Sequence, residues 1–465
     1  MHYRSPHMMG IDADYAMHRA FVYQGWPVFV VIDPDGLVRF HGFDSDRNLS
    51  ALRRCLEGLV DKTPAVAGEK APPGRGLAMP AEVLACRQAR RERSPRLAFN
   101  RAGQAHVVYY SNREGANAVF LRRFNQQGEP AGEERLSPAN AECYAPDCAF
   151  DPQGALWVAW CARQSGCYDI YAHCRPVGKP PSTEQLSFST DDAMSPKIAA
   201  GPDGTVTVAY YKWHILWGYS RDRDLYARTY EPGRLAWGKE TEISPHEPEV
   251  EDHTDPDVVI DRQGNAWIVW SYDYHPQLYK QPLDAAQPTI FAARFFSNTV
   301  SAPILVGATG EFRYAIDLFP SAALDERGVL WCAWDCSEPS RCLRLARLNQ
   351  PANAFTLVST FGARSGVCST PELAPAAGNL LLLAWSQRGP SGLWQGRAAL
   401  LKDGQSLAQT TLVEPADVLF PQAQQSPDGQ YWVAYEKSDA KGSDLVLRNI
   451  TRELQRAQPE AARAP

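Results

Sequence analysis

The sequence predicts a mainly β protein, seven similar sheets set radially about an axis as a seven-bladed β-propeller, with a small α/β segment before it. Three observations predict it. A unit of roughly 50 residues recurs through most of the chain, a period typical of propeller blades. Seven copies each carry an anchoring proline: Pro95, Pro146, Pro196, Pro256, Pro320, Pro371 and Pro421. Fourteen residues beyond each proline stands an aromatic, Tyr109, Trp160, Tyr210, Trp270, Trp334, Trp385 or Tyr435, although aromatics make up only 11% of the chain.

Within a copy, a short apolar stretch leads from the proline to a turn glycine: Gly103, Gly154, Gly204, Gly264, Gly328, Gly378 or Gly429. An alternating β-rich stretch such as GALWVAW or GNAWIVW follows, so the pair reads as a hairpin. The turns running from Asp151 to Gly154, Asp261 to Gly264 and Asp325 to Gly328 place an Asp that bonds the turn backbone before a Gly that takes the left-handed conformation. A third strand is expected in CYDIYAH, DRDLYAR and CLRLARL, and a fourth in EERLS, TEQLS and KETEIS. A lone four-stranded sheet cannot shield apolar residues on both faces, whereas seven stacked radially cover one another. Each repeat aromatic is then expected between blades, burying about 150–250 Å², worth about 4–6 kcal/mol gross.

Copy seven shows three strands and then a polar tail, 451–465. The segment 81–88, AEVLACRQ, reads as an outer strand without a blade of its own, and is expected to complete the last blade and remove its open edge. The propeller is thus placed at 80–450.

Residues 1–60 have a different pattern. GWPVFVVIDPDGLVRFHGF reads as strand, turn and strand, and Leu49, Leu52, Leu56 and Leu59 mark one face of a helix. Trp26-Pro27, the strand pair and the helix together resemble the C-terminal half of a thioredoxin-like domain, with Pro27 at the family's cis-proline site. The approach to that proline resembles redoxin and peroxiredoxin-related proteins, particularly those joined to NHL-type propellers. The resemblance implies thiol-disulfide or peroxide chemistry, which needs a Cys-x-x-Cys whose thiol pKa is lowered at a helix N-terminus. No such pair occurs in the sequence. Residues 61–79, DKTPAVAGEKAPPGRGLAM, read as a linker.

Composition narrows the functions. The 465 residues are 44% hydrophobic and 22% charged, an ordinary globular mixture, and 47 basic against 53 acidic side chains give a net charge of -6. No basic block is long enough to track a phosphate backbone, so nucleic acid is not an expected partner. The longest apolar runs, near 28–32 and 380–385, are far shorter than the ~20 residues of a bilayer span. The first residues lack a charged-then-apolar secretory signal.

Propellers bind ligands at the channel mouth, where the loops leading into the innermost strands converge. Four residues before the proline stand Glu142, Asp192, Asp252 and Asp417, and Asp317 lies three before; the first copy has Arg91 there. With Asp191, His253 and Asp255 these form an expected partial carboxylate ring facing a protein, peptide or saccharide ligand. At ~10 Å and an effective dielectric near 20, each like-charged pair costs about 1.7 kcal/mol, relieved by Arg91, by raised pKa values or by a cation such as Ca²⁺. The alternative is that these acids accept backbone amides of their own loops. The spacing of His246 and His253 is not that of zinc ligands.

Of eleven cysteines, Cys161 with Cys167 and Cys336 with Cys342 recur at matching places and are candidate disulfides in an oxidising compartment. The bridges and the thioredoxin-like resemblance together lean towards the bacterial envelope. SPDGQYW, 426–432, is similar to the turns of TolB-like propellers and less closely to the Asp-boxes of sialidases. A sialidase-like hydrolase needs an arginine cluster and a Tyr/Glu nucleophile pair, for which Arg313 and Tyr314 are the adjacent candidates. The expected role is therefore a non-catalytic binding ring, with a redoxin lacking its catalytic half and a glycoside hydrolase as the alternatives.

Overall fold

A computed structural model describes the backbone of 28–32 and 38–43, and residues 92–458 except 165, 189, 217–219, 245–250, 275–287, 309–316, 337–341, 363–366, 413 and 440–441. The chain divides into two units, 1–89 and 90–465. In the first, Val28–Ile32 pairs antiparallel with Val38–Phe43, the hairpin expected there. Pro27, the helix around Leu52, the linker and the closing strand at 81–88 lie outside the described residues.

The second unit is a seven-bladed propeller. Blade 1 runs Glu92–Phe99, Ala105–Glu114, Ala116–Phe124 and Pro130–Arg135 from axis to rim. Blades 2, 5 and 6 repeat this four-stranded meander, beginning at Glu142, Asp317 and Cys368. In blades 3 and 4 the outer edge is broken into two short pieces, and a parallel bridge between Arg223 and Asp252 joins these two blades. Blade 7 has three strands among the described residues, Asp417–Gln425, Tyr431–Asp439 and Gly442–Asn449. The innermost strands lie side by side around the whole circle, with Asp417–Gln425 against Glu92–Phe99.

Blade 7 meets blade 1 directly. Ser443 Oγ donates to the Glu92 carbonyl at 2.9 Å, Leu445 N–H donates to Glu92 Oε2 at 3.1 Å, and Trp432, Ala434 and Leu445 pack with Leu97, Tyr109 and Phe120. The segment expected as a polar tail begins with a helix, Thr451–Ala457, whose Leu454 is fully buried. It packs on the outer strand of blade 6, Gln405–Leu412.

All seven repeat aromatics are buried, at 0–1% exposure. Each sits between its own blade and the preceding one: Trp160 with Val108 and Leu121, Trp270 with Ala209 and Leu225, Trp385 with Trp331 and Leu343. Buried tyrosines also need a polar partner. Tyr109, Tyr210 and Tyr435 donate to Glu133, Glu240 and Glu414. The seven turn glycines all have φ between 75° and 87°, as their turns demand.

Candidate functional site

One backbone feature recurs in every blade. The residue before each anchoring proline, Ser94, Ala145, Ser195, Asp255, Phe319, Thr370 or Phe420, has φ of 48–52°, where non-glycine residues are rare. The strand register slips at the same place in all seven blades. Each innermost strand therefore bulges at the proline, and bulges re-aim side chains.

The residues that follow the prolines are Arg96, Asp147, Lys197, Asp257, Ser321, Glu372 and Gln422. Arg96 bonds Glu372, linking blades 1 and 6, and Lys197 Nζ lies 3.8 Å from both Asp257 Oδ1 and Glu372 Oε1, linking blades 3, 4 and 6. Contacts between such distant blades occur only at the axis, so these side chains form a polar plug in the channel. Arg96 Nε is 3.7 Å from Asp147, and Ser321 Oγ donates to Glu372 at 3.3 Å. The plug also stitches neighbouring blades: Asp147 accepts from Ile198 N–H and Asp257 from Ala322 N–H, each at 2.8 Å, and Ser321 Oγ accepts from Leu373 N–H at 3.0 Å. Burial works against the Glu372 carboxylate, but Arg96 and Lys197 outweigh it and hold its pKa down to about 2. For Asp147 and Asp257 burial wins over the nearby cations, and both carboxyls are pushed up. This ring was missed in the sequence, although its column is polar in all seven copies of an otherwise apolar strand.

The expected acids stand at the start of the innermost strands. Asp192 Oδ1 accepts from Tyr168 N–H and Asp417 Oδ1 from Trp394 N–H, both at 2.8 Å. In each case the acid leading into one blade caps the third strand of the blade before. Glu142 accepts the hydroxyl of Tyr144. His253 is buried and its Nδ1 accepts from Trp270 Nε1–H at 2.9 Å. Burial raises the pKa of Asp255 to about 6 against the pull of Arg223 and Lys197. Arg91 and the side chains of Asp252 and Asp317 lie outside the described residues, as do Arg313 and Tyr314.

The structure places the two candidate cysteine pairs differently. Cys161 pairs in register with Ile170 and not with Cys167, and its thiol donates to the Tyr144 carbonyl at 3.4 Å. Cys336 and Cys342 face each other as register partners across adjacent strands. Among the described residues no group of three or more His, Cys, Asp or Glu side chains is placed to hold a metal ion, Ca²⁺ included.

The richest chemistry lies along the rim of the face where the innermost strands begin, from the innermost strand of blade 2 to the second and third strands of blade 3. The second and third strands of blade 3, Val206–Leu216 and Ser220–Glu231, are unusually long, and their register opposes Lys212 to Asp224 and Tyr210 to Tyr226. With side chains alternating between faces, Lys212, His214, Asp224 and Tyr226 share one face. His214 bridges Asp191 Oδ2, 3.1 Å from Nδ1, and the Tyr226 hydroxyl, 3.0 Å from Nε2; Asp224 lies 3.7 Å away. Lys212 Nζ is held by Glu240 at 2.6 Å. On the same face, Tyr110 of blade 1 and Tyr144 and Tyr168 of blade 2 form an edge-to-face series with centroids 5.4 and 5.9 Å apart. Burial, reinforced by Glu142, pushes the Tyr144 hydroxyl far up, and burial with Glu242 and Asp224 does the same to Tyr226.

No protein-family model matches the sequence, and no curated protein does. Solved structures match the fold. An ulvan lyase, a polysaccharide lyase bound to a -[GlcA(1-4)Rha3S]- fragment, is 12% identical with a TM-score of 0.51, over 80% of this chain and 98% of that one. A Hadza microbial sialidase is 10% identical with a TM-score of 0.47, over 75% and 74% of the two chains. A leech intramolecular trans-sialidase is 9% identical with a TM-score of 0.47, over 76% and 84%. At these identities the likeness is one of fold.

Proposed function

We propose that the rim of blades 2 and 3 binds a saccharide and hydrolyses its glycosidic bond. The observation that carries this reading is the Tyr144 hydroxyl donating to Glu142 beside a strip of tyrosine rings. Aromatic faces suit the C–H faces of sugar rings, and a hydroxyl beside a carboxylate is a nucleophile with its base. Tyr144 Oη attacks the anomeric carbon as Glu142 takes its proton, and the leaving oxygen takes a proton from water. Water then cleaves the glycosyl–tyrosine bond, so the anomeric configuration is retained. The ulvan lyase supports a saccharide as the ligand class.

Charge favours a neutral sugar. Glu142, Asp191, Asp192, Asp224 and Glu240 lie along this face, against Lys212, which Glu240 engages, and Arg163, the register partner of Glu142, whose Nε–H donates to the Gly166 carbonyl. A sugar carboxylate ~6 Å from each acid would meet about 2.8 kcal/mol of repulsion apiece at an effective dielectric near 20. This separates the reading from both a sialidase, which needs an arginine cluster, and an elimination on uronates.

A panel of neutral aryl glycosides and polysaccharides tests it. The expected result is product release that falls about 10²–10⁴-fold in Glu142→Gln and in Tyr144→Phe. Unsaturated uronate released from acidic polysaccharides, with neutral glycosides untouched, would refute it. A non-catalytic saccharide-binding ring is the second reading, favoured by the burial that keeps Tyr144 protonated. Neutral-saccharide binding without turnover would select it.

A further inference from the structure

The opposite face of the propeller carries a different surface. Glu142 and Phe150 end the same strand, Glu142–Phe150, and at ~3.3 Å rise per residue they stand roughly 26 Å apart. At the Phe150 end, a cleft of about 200 Å³ runs between blades 1 and 2 and shares Asn100, Phe150 and Gly154 with a cavity of about 440 Å³ over the end of the channel. Together they fall in the ~300–1,000 Å³ range of small-molecule sites.

The walls of the cleft are built from paired strands. His106 and Arg123 are register partners in blade 1, and Leu156 pairs with both Phe150 and Arg175 in blade 2. The His106 ring meets Phe150 edge-on at 5.0 Å, with Pro176 and the largely exposed Val177 at the lip. Arg123 and Arg175 share a single carboxylate. Glu134 accepts two bonds from Arg175, at 2.5 and 2.7 Å, and lies 4.0 Å from Arg123 Nη2. Both guanidinium Nε–H groups are buried with no acceptor. Arg101 adds a further cation to the larger cavity, where Asp151 is already occupied by Gln153 N–H, Ala155 N–H and Trp157 Nε1–H. In a chain of net charge -6, this is a local excess of positive charge with donors to spare.

We infer that this cleft binds a small acidic ligand, its oxyanion against Arg123 and Arg175 and its body against Phe150, Pro176 and Val177. Arginine is suited to planar oxyanions, and the apolar wall suits the C–H face of a sugar ring, so an acidic monosaccharide satisfies both. Burial and the charges of Arg123 and Arg175 hold the His106 pKa below its usual value, so a bound anion would raise it. The site is separate from the rim of blades 2 and 3, and binding there is read without turnover.

Calorimetry on the full chain tests the inference with sodium glucuronate, inorganic sulfate and methyl glucoside. The expected result is heat of binding from glucuronate and none from methyl glucoside, weakened about tenfold in Arg123→Gln and strengthened about threefold in Glu134→Gln, which frees both cations. The opposite signs of the two variants exclude a simple loss of folding. Sulfate matching glucuronate supports recognition of the oxyanion alone, and tighter glucuronate supports the apolar wall as well. Equal binding of methyl glucoside, no heat from either anion, or no change in both variants would overturn the inference.

Discussion

Replacing Asp255 with Asn should make the propeller more stable at neutral pH and leave it unchanged in acid. Asp255 sits at the blade 4 bulge with φ of 48°, a conformation Asn tolerates as well as Asp, so the backbone is not disturbed. Its carboxyl is removed from most of its water, and the pull of Arg223 and Lys197 does not compensate; the pKa rises from 3.8 to about 6. By linkage, that rise corresponds to about 3 kcal/mol lost on ionising the folded protein, and water reaching the half-buried group brings the range to about 1–3 kcal/mol. Below pH 3.8 the carboxyl is protonated in both folded and unfolded chains and costs nothing. Between 3.8 and about 6 the unfolded chain ionises first and the wild type loses stability; above about 6 the loss is complete. Asn never ionises. For a propeller of this size the gain corresponds to roughly 1–4 °C in melting temperature at neutral pH. Thermal unfolding of both proteins across this range checks it. A variant less stable than the wild type at neutral pH, or an offset that does not depend on pH, would refute the reasoning.

Glu372→Gln should show the opposite dependence. Its folded pKa of about 2 means that its contribution is present above 4.5 and lost as the pH falls through 2, so the variant should be about 3 kcal/mol less stable at neutral pH and converge on the wild type in acid. Denaturant titration at several pH values measures this, and a constant difference would contradict it. Leu454→Ala should cost about 2–3 kcal/mol, because Leu454 is fully buried among Leu412, Val433 and Tyr435. An unchanged unfolding midpoint would mean that the terminal helix does not support blades 6 and 7.

The ring of blades was legible because each marker answers one physical requirement. Trp160 and its six counterparts must be covered, Gly154 and its counterparts must take a left-handed turn, and nothing else in the repeat competes for those positions. The bulge was not legible. Ser, Ala, Asp, Phe and Thr occupy it, none of them glycine or asparagine, so the chain carries no local sign of the positive φ. The polar column after the proline is visible in the sequence, but the acids before it carry the stronger signal of a ligand-facing loop. Asp192 and Asp417 show that an Asp at a loop is as well suited to capping a neighbouring strand as to facing a ligand. The His214 relay depends on blade 3 strands that outrun the repeat, and only alternation along Tyr210, Lys212 and His214 against Asp222, Asp224 and Tyr226 hinted at it. The cysteine pairs recur in spacing, but spacing does not determine register: Cys336 faces Cys342, whereas Cys161 faces Ile170.

The plug also decides how the two faces relate. Arg96 with Glu372 and Lys197 with Glu372 cross the channel from one side to the other, so a ligand passing along the axis would have to break ion pairs that are 17–20% exposed and have little water to replace them. Breaking one member of such a pair typically costs about 3–5 kcal/mol, more than a passing sugar hydroxyl returns. Ligands are therefore confined to the face they approach. The two faces are also electrostatically independent, since roughly 26 Å of strand separates them and exposed charges are screened beyond ~8 Å at physiological salt. An acidic rim and a basic cleft can then coexist without weakening each other. It follows that neutralising Arg123 should leave the charge environment of Tyr144 and Glu142 untouched, whereas altering Glu372 should be felt through the blades on both sides.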